Sequence, residues 1–158
     1  MRSIEALRIL KAELTADAEE LTRLYGKYEL MQQKLAHIVP DEFDYVALAY
    51  TIVNLYNGIE SYFLRISKVF ENNLDPNSWH KHLLQRMSLE IEGLRPAFMT
   101  PKDYLFFDKL RAFRHIFRHI YQRELDIAQL TELDQLIPDG ITRFNELHQL
   151  YLSGLLAK

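Results

Sequence analysis

Apolar residues recur at Leu7, Leu10, Leu14, Leu21, Leu24, Tyr28, Met31 and Leu35, at intervals of three and four broken only at Asp17. That spacing follows the 3.6-residue turn of an α-helix, and its single narrow seam predicts a long helix over about residues 3–37. The seam resembles a coiled-coil strand, but the short connections to later helical segments favour an antiparallel bundle helix packed on its neighbour. From Asp41 the seam widens. Tyr45, Leu48, Ile52, Leu55, Ile59, Phe63 and Ile66 share one face, while Val46, Ala49, Val53, Tyr56 and Leu64 carry it around much of the cylinder. Such breadth predicts the central, most buried helix.

The stretch NNLDPNSWHKHL supplies turn residues and then a new helix start, with Asn77 or Ser78 as N-cap, running to about Glu92 before Gly93 and Pro96 end it. A fourth helix is predicted from near Pro101 through Tyr121. A polar segment then begins at Asp126, is interrupted near Pro138-Asp139-Gly140, and leads into a last helix to about Leu155.

Composition sharpens this picture. Leucine occurs 26 times and valine only 4, and five Gly with five Pro leave little material for hairpins, so helix is favoured over strand throughout. The expectation is an all-α, antiparallel bundle of about five helices. With 158 residues, 48% of them hydrophobic, the chain has the core of one domain spanning residues 1–158. The absence of Cys excludes a disulfide framework, a thiolate metal site and a cysteine nucleophile. No apolar run approaches the ~20 residues of a membrane span, and charges interrupt the leucines of MRSIEALRILKAEL as they would not in a signal-peptide core. A cytoplasmic protein without membrane contact is expected.

Net charge is only −3, yet the fourth segment departs from it. From Lys109 to Arg123 it reads KLRAFRHIFRHIYQR, with Lys109, Arg111, Arg114, Arg118 and Arg123 and no acidic residue. Phe113, Phe117 and Ile120 keep an apolar stripe, so the basic groups are expected at the surface, an interface or a cleft, as an anion-binding footprint or as a solvated face paired with acidic neighbours. On the second segment Glu60 projects between Val53 and Leu64 inside the apolar arc, with Asn57 one turn away at its edge. A carboxylate there needs an internal hydrogen-bond network, a route to the surface, or an arginine of a polar site.

His115 and His119 have the spacing of a two-histidine metal pair, and His80 and His82 could add ligands. Against metal stand the lack of an HExxH glutamate and the crowd of arginines, which repel a divalent cation. His119 is better read as a proton-transfer group, and the arginines as ligands for a phosphodiester. RNA brings its own nucleophile, the 2′-hydroxyl, so no cofactor and no metal are expected. Arg114 and His119 lie about 140° apart on an ideal helix, whereas Arg114 and Tyr121 lie nearly on one face. Convergence then requires a distortion near His119, or two copies with these helices facing across a twofold axis.

The run Arg114-His115-Ile116-Phe117-Arg118-His119-Ile120-Tyr121 matches the R-x4-H-x-Y motif of HepT toxins in the HEPN superfamily, and the surrounding LRAFRHIFRHIYQRELD is similar to the HepT-like branch. The resemblance implies a helical bundle acting as a homodimer and as a metal-independent endoribonuclease toxin, with Arg114 and His119 in the active site. Arg111, His115 and Arg118 would bind RNA, with Asn57 and Glu60 in polar support. His115 stands where the family often has Asn. The resemblance further implies a partner, an MntA-like minimal nucleotidyltransferase antitoxin that adds AMP to Tyr121 and blocks the site by bulk and charge. Some HEPN relatives are instead non-catalytic helical subunits that bind a nucleotidyltransferase. A purely structural bundle would leave the acid-free basic run unexplained.

Overall fold

A computed structural model describes residues 3–155, and it is all-helical: α1 (Ile4–Leu35), α2 (Glu42–Phe70), α3 (Trp79–Met87), α4 (Pro101–Arg118), a 3-10 turn (Ile120–Gln122) and α5 (Ile127–Leu155). Among the described residues the only β-type pairing is one isolated bridge between Ile91 and Arg95. The five-helix, antiparallel bundle expected from the sequence pattern is the architecture of the chain. Antiparallel order is visible in the register of contacts. Leu21 and Leu24 of α1 lie against Gly58 of α2, and Asp17 further back in α1 takes Arg65 further on in α2 at 2.7 Å. On the next pair Arg114 of α4 meets Glu60, while Phe107 meets Phe63. On α4 and α5, Asp103 meets Arg143 and Phe106 meets Gly140.

Helix α2 is central, as its wide apolar arc predicts, with thirteen buried residues from Leu48 to Phe70. Phe63 is fully buried and packs edge-on against Tyr62, Phe98 and Phe107 with ring centroids 6.0, 5.1 and 5.7 Å away. Such pairs contribute about 0.5–1.5 kcal/mol each beyond the area they bury, and here they tie α4 to the middle of α2. Capping boxes start both helices: Asp41 with Asp44 on α2, and Thr100 with Asp103 on α4, where Pro101 stands at the first helical position. No helix among the described residues is long and apolar enough to cross a membrane.

The start of α3 at Ser78 follows the sequence reading, and two other features, the end of α3 and the course of α5 at Pro138, differ from it. Ser78 is the N-cap residue of α3 but makes no side-chain cap bond: its backbone, at φ −138° and ψ 25°, lacks the extended cap geometry, and its hydroxyl donates to Asp75 at 3.1 Å. Helix α3 stops at Met87 rather than near Glu92 because its end carbonyls are already taken. Phe98 and Met99 donate to the Met87 carbonyl at 2.8 and 3.2 Å, and the buried Arg95 donates to those of Arg86 and Leu89 while pairing with Glu71. Gly93, at φ +76°, supplies the left-handed turn that brings Arg95 back.

The expected interruption at Pro138 is absent, and α5 runs through it. Proline removes the N–H that would bond the carbonyl four residues earlier, here that of Asp134. Tyr28 of α1 places its hydroxyl 3.1 Å from that carbonyl and also against the Asp134 carboxylate, which Gln32 joins. The Pro138 ring itself sits on the exposed face. A neighbouring helix therefore sets a donor, shared with the nearer Asp134 carboxylate, beside the carbonyl that the proline leaves free.

Candidate functional site

Helix α4 carries Phe107, Leu110, Phe113 and Arg114 as its buried residues, so Arg114 occupies the apolar face one heptad after Phe107. It is 3% exposed, and Glu60, facing it from α2, is 7% exposed. The two form a bidentate pair: Nη1 donates to Oε1 at 2.9 Å and Nη2 to Oε2 at 2.7 Å. Nη1 also donates to Asn57 Oδ1 at 3.1 Å, and the Tyr56 ring lies under the guanidinium, 4.7 Å from centroid to Cζ. Burial first, then the Glu60 charge, pushes the Tyr56 phenol well above its ordinary range, which keeps that ring neutral beneath the cation. Both terminal nitrogens of Arg114 are thus engaged, and its Nε–H is the donor left without a partner among the described residues.

A fifth member comes from α3. His80 places Nδ1 2.9 Å from Glu60 Oε2 and 3.1 Å from Arg114 Nη2. With a proton on Nδ1 the ring donates to the carboxylate; without it, Nδ1 accepts from the guanidinium. The ring also stacks on Trp79, with centroids 3.7 Å apart.

The C-terminal end of α4 is built differently. The helix ends at Arg118, three residues before the expected Tyr121, and His119 leaves helical geometry at φ −110°, ψ 19°. Tyr121 consequently sits on the 3-10 turn. The His119 ring curls back so that Nδ1 lies 2.8 Å from the His115 carbonyl oxygen. A carbonyl only accepts, so Nδ1 carries a proton, and in the neutral ring it is Nε2 that holds the lone pair. The His115 and His119 rings are 4.9 Å apart, and those of His119 and Tyr121 are 6.3 Å apart. His115 is exposed and Tyr121 is 77% exposed.

The basic run therefore divides. Arg114 points into the bundle toward Asn57 and Glu60, and Arg111 is held by Asp108, one turn earlier, at 2.8 Å. Arg118 and Arg123 are exposed and make no ion pair among the described residues. His119, His115 and Tyr121 gather at the end of α4, while Arg114 lies five residues back, about 7 Å along the axis. His82 approaches Ser78 at 3.4 Å rather than joining the other histidines. Sequence reasoning missed His80 and Tyr56 as members of the Arg114 cluster. A histidine at the second position of a short amphipathic helix carries no signal of what lies across from it.

A family model described as HepT-like protein matches residues 47–155, which takes in α3, α4, α5 and all of α2 but its first turn. The curated proteins and the solved structures give no match to the chain. The match covers more than half of the chain and contains both clusters of α4, and the architecture is the helical bundle that the family implies; the chain belongs to the HepT-like protein family of the HEPN superfamily.

Proposed function

We propose that this HEPN-type toxin–antitoxin component is the toxin, a metal-independent endoribonuclease that works as a homodimer. The observation that carries the reading is His119: its Nδ1–H is spent on the His115 carbonyl, so Nε2 is the nitrogen left to serve as base in the neutral ring, at the end of a helix flanked by exposed Arg118 and Arg123. In the reaction Nε2 takes the proton of a ribose 2′-hydroxyl, and the 2′-oxygen attacks the adjacent phosphorus. The P–O5′ bond breaks to give a 2′,3′-cyclic phosphate and a 5′-hydroxyl, whose proton is returned by a second acid or by water. Arg118, Arg111 and His115 hold the RNA backbone by charge. Arg114 offers Nε–H to the phosphate while Glu60 and Asn57 fix its plane. A second copy facing the same surface brings its own cationic groups to the cleft. Tyr121, exposed beside His119, is the acceptor for AMP from an MntA-like nucleotidyltransferase antitoxin, and the added phosphate would neutralise and cover the site.

Purified protein and His119→Ala are compared on a labelled RNA pool in EDTA, with end-group analysis. EDTA-resistant cutting to cyclic-phosphate ends, lost in His119→Ala, is expected. Equal cutting by the variant removes His119 from the mechanism. Tyr121→Phe should retain cleavage and escape AMP addition, read by intact mass. One observation favours a second reading, a non-catalytic subunit that binds the nucleotidyltransferase: Arg114 is buried with both terminal nitrogens bonded within the chain. Folded dimer that binds the transferase and never cuts RNA, even free of AMP, would establish it.

A further inference from the structure

The Arg114–Glu60 pair is buried, but His80, which touches both partners, is partly exposed. Side-chain exposure is 4% for Arg114 and 9% for Glu60 but 39% for His80, which touches both. Three contacts hold that imidazole on two sides. One face lies on Trp79 at 3.7 Å, and the Nδ1 edge is held by Glu60 at 2.9 Å and Arg114 at 3.1 Å. Trp79 is in turn packed against the core cluster. The opposite face of His80 and its Nε2 edge take no part in those contacts, and the side chain as a whole is 39% exposed, so a flat aromatic surface held by its neighbours is offered to solvent. Exposed Lys81 follows in sequence, and partly buried His82 comes one residue later.

A rigid aromatic face beside cationic groups is what an unpaired nucleobase stacks on: every base has a π-face, the backbone phosphate follows the charge, and a ring already immobilised loses little entropy on binding. We infer that Trp79 and His80 form a nucleobase-stacking subsite for single-stranded RNA, which seats the base of a nucleotide next to Arg114. This deepens the ribonuclease reading and rests on it. His80 then acts twice, its edge orienting the Glu60–Arg114 pair and its face taking the base. Occupancy of the subsite and the posture of Arg114 are coupled through one ring.

The test uses the full chain with His119→Ala, so that RNA stays intact, and a short fluorescein-labelled single-stranded oligoribonucleotide of mixed sequence. Anisotropy measures total binding. Two-dimensional NMR reads the Trp79 indole N–H, one resonance because the chain has one Trp, and the His80 ring C–H protons. Saturating oligoribonucleotide should shift the Trp79 and His80 signals together, with the His80 protons moving upfield by ring current, whereas inorganic phosphate should not. His80→Asn, which keeps a donor toward Glu60 and loses the ring, should bind about 5- to 150-fold more weakly, the range found for one lost base stack. His80→Phe, which keeps a ring and gives up the bond, should bind more tightly than His80→Asn. Binding by anisotropy with Trp79 and His80 unmoved, or equal affinity in His80→Asn, overturns the subsite while wild-type cleavage leaves the nuclease standing. The absence of both RNA binding by this protein and cleavage by the wild type overturns the subsite and the nuclease together. Shifts produced by a nucleotidyltransferase partner and not by RNA would assign the surface to protein instead.

Discussion

Replacing Arg114 by Met removes the cation but leaves Glu60 7% exposed, with only His80 as a polar neighbour from another helix able to donate to it. Breaking a buried ion pair from one side costs about 3–5 kcal/mol, because the remaining charge is neither solvated nor paired. At about 2–4 °C per kcal/mol for a chain of this size, the melting temperature should fall by roughly 6–20 °C. Glu60→Leu leaves Arg114 uncompensated instead and should cost a similar amount. In the double variant Arg114→Met/Glu60→Leu both charges go together and apolar volume replaces them, so most of the loss should return, to within about 1 kcal/mol of the parent. Urea denaturation followed by far-UV circular dichroism, at one fixed protein concentration because association adds to apparent stability, gives the four corners of the cycle. If Arg114→Met costs under about 1 kcal/mol, or the double variant loses the sum of the two singles, the pair is not the closed buried unit described above. The recovered double variant then serves a second purpose. Its failure to cut RNA would separate the role of Arg114 in the reaction from its role in the fold, and full cutting would remove Arg114 from the reaction.

Burial holds the His148 imidazole below its ordinary range, with Nδ1 2.6 Å from the Tyr62 hydroxyl, so the folded state binds the proton less readily than the unfolded chain. The contribution is complete above about pH 6.5 and is lost as pH falls below it toward the depressed folded value, by up to about 1.4 kcal/mol per pH unit. The difference in urea midpoint between pH 7 and pH 5 should shrink in His148→Gln, and an unchanged slope would contradict this. Tyr28→Phe should cost about 1–3 kcal/mol by leaving the Asp134 carbonyl without a donor, and less in a Pro138→Ala background, where the helix provides its own N–H. Equal losses in the two backgrounds would mean that Tyr28 does not compensate for the proline.

What the sequence reveals and what it hides divide along one physical line. The 3.6-residue period, the start of α4 near Pro101 and the breadth of the α2 arc are local, and the structure follows them. The stop at Met87 depends on Arg95 returning to bond the carbonyls of Arg86 and Leu89, and the passage through Pro138 depends on Tyr28 from a helix more than one hundred residues earlier. No local rule contains either contact. The break at His119 is intermediate. The angle between Arg114 and His119 calls for a distortion or a second copy if they are to converge; the chain leaves helical geometry at His119, while Arg114 still points into the bundle toward Glu60. Arg114 is the more instructive case. Its neighbours Arg111 and Arg118 make it look like one charge of a solvated face, yet it stands one heptad after Phe107, as Glu60 stands one heptad after Val53. Each is a charge at a position the period reserves for an apolar side chain. Two such violations of opposite sign, on helices that an antiparallel bundle sets face to face, relieve each other, and neither makes physical sense alone. Arginine at an apolar position can be explained by its long stem reaching water, but a carboxylate inside the widest apolar arc of the chain cannot. Glu60 is therefore the stronger signal in the sequence, and it calls for a cation on whichever helix covers α2, which the contacts show to be α4.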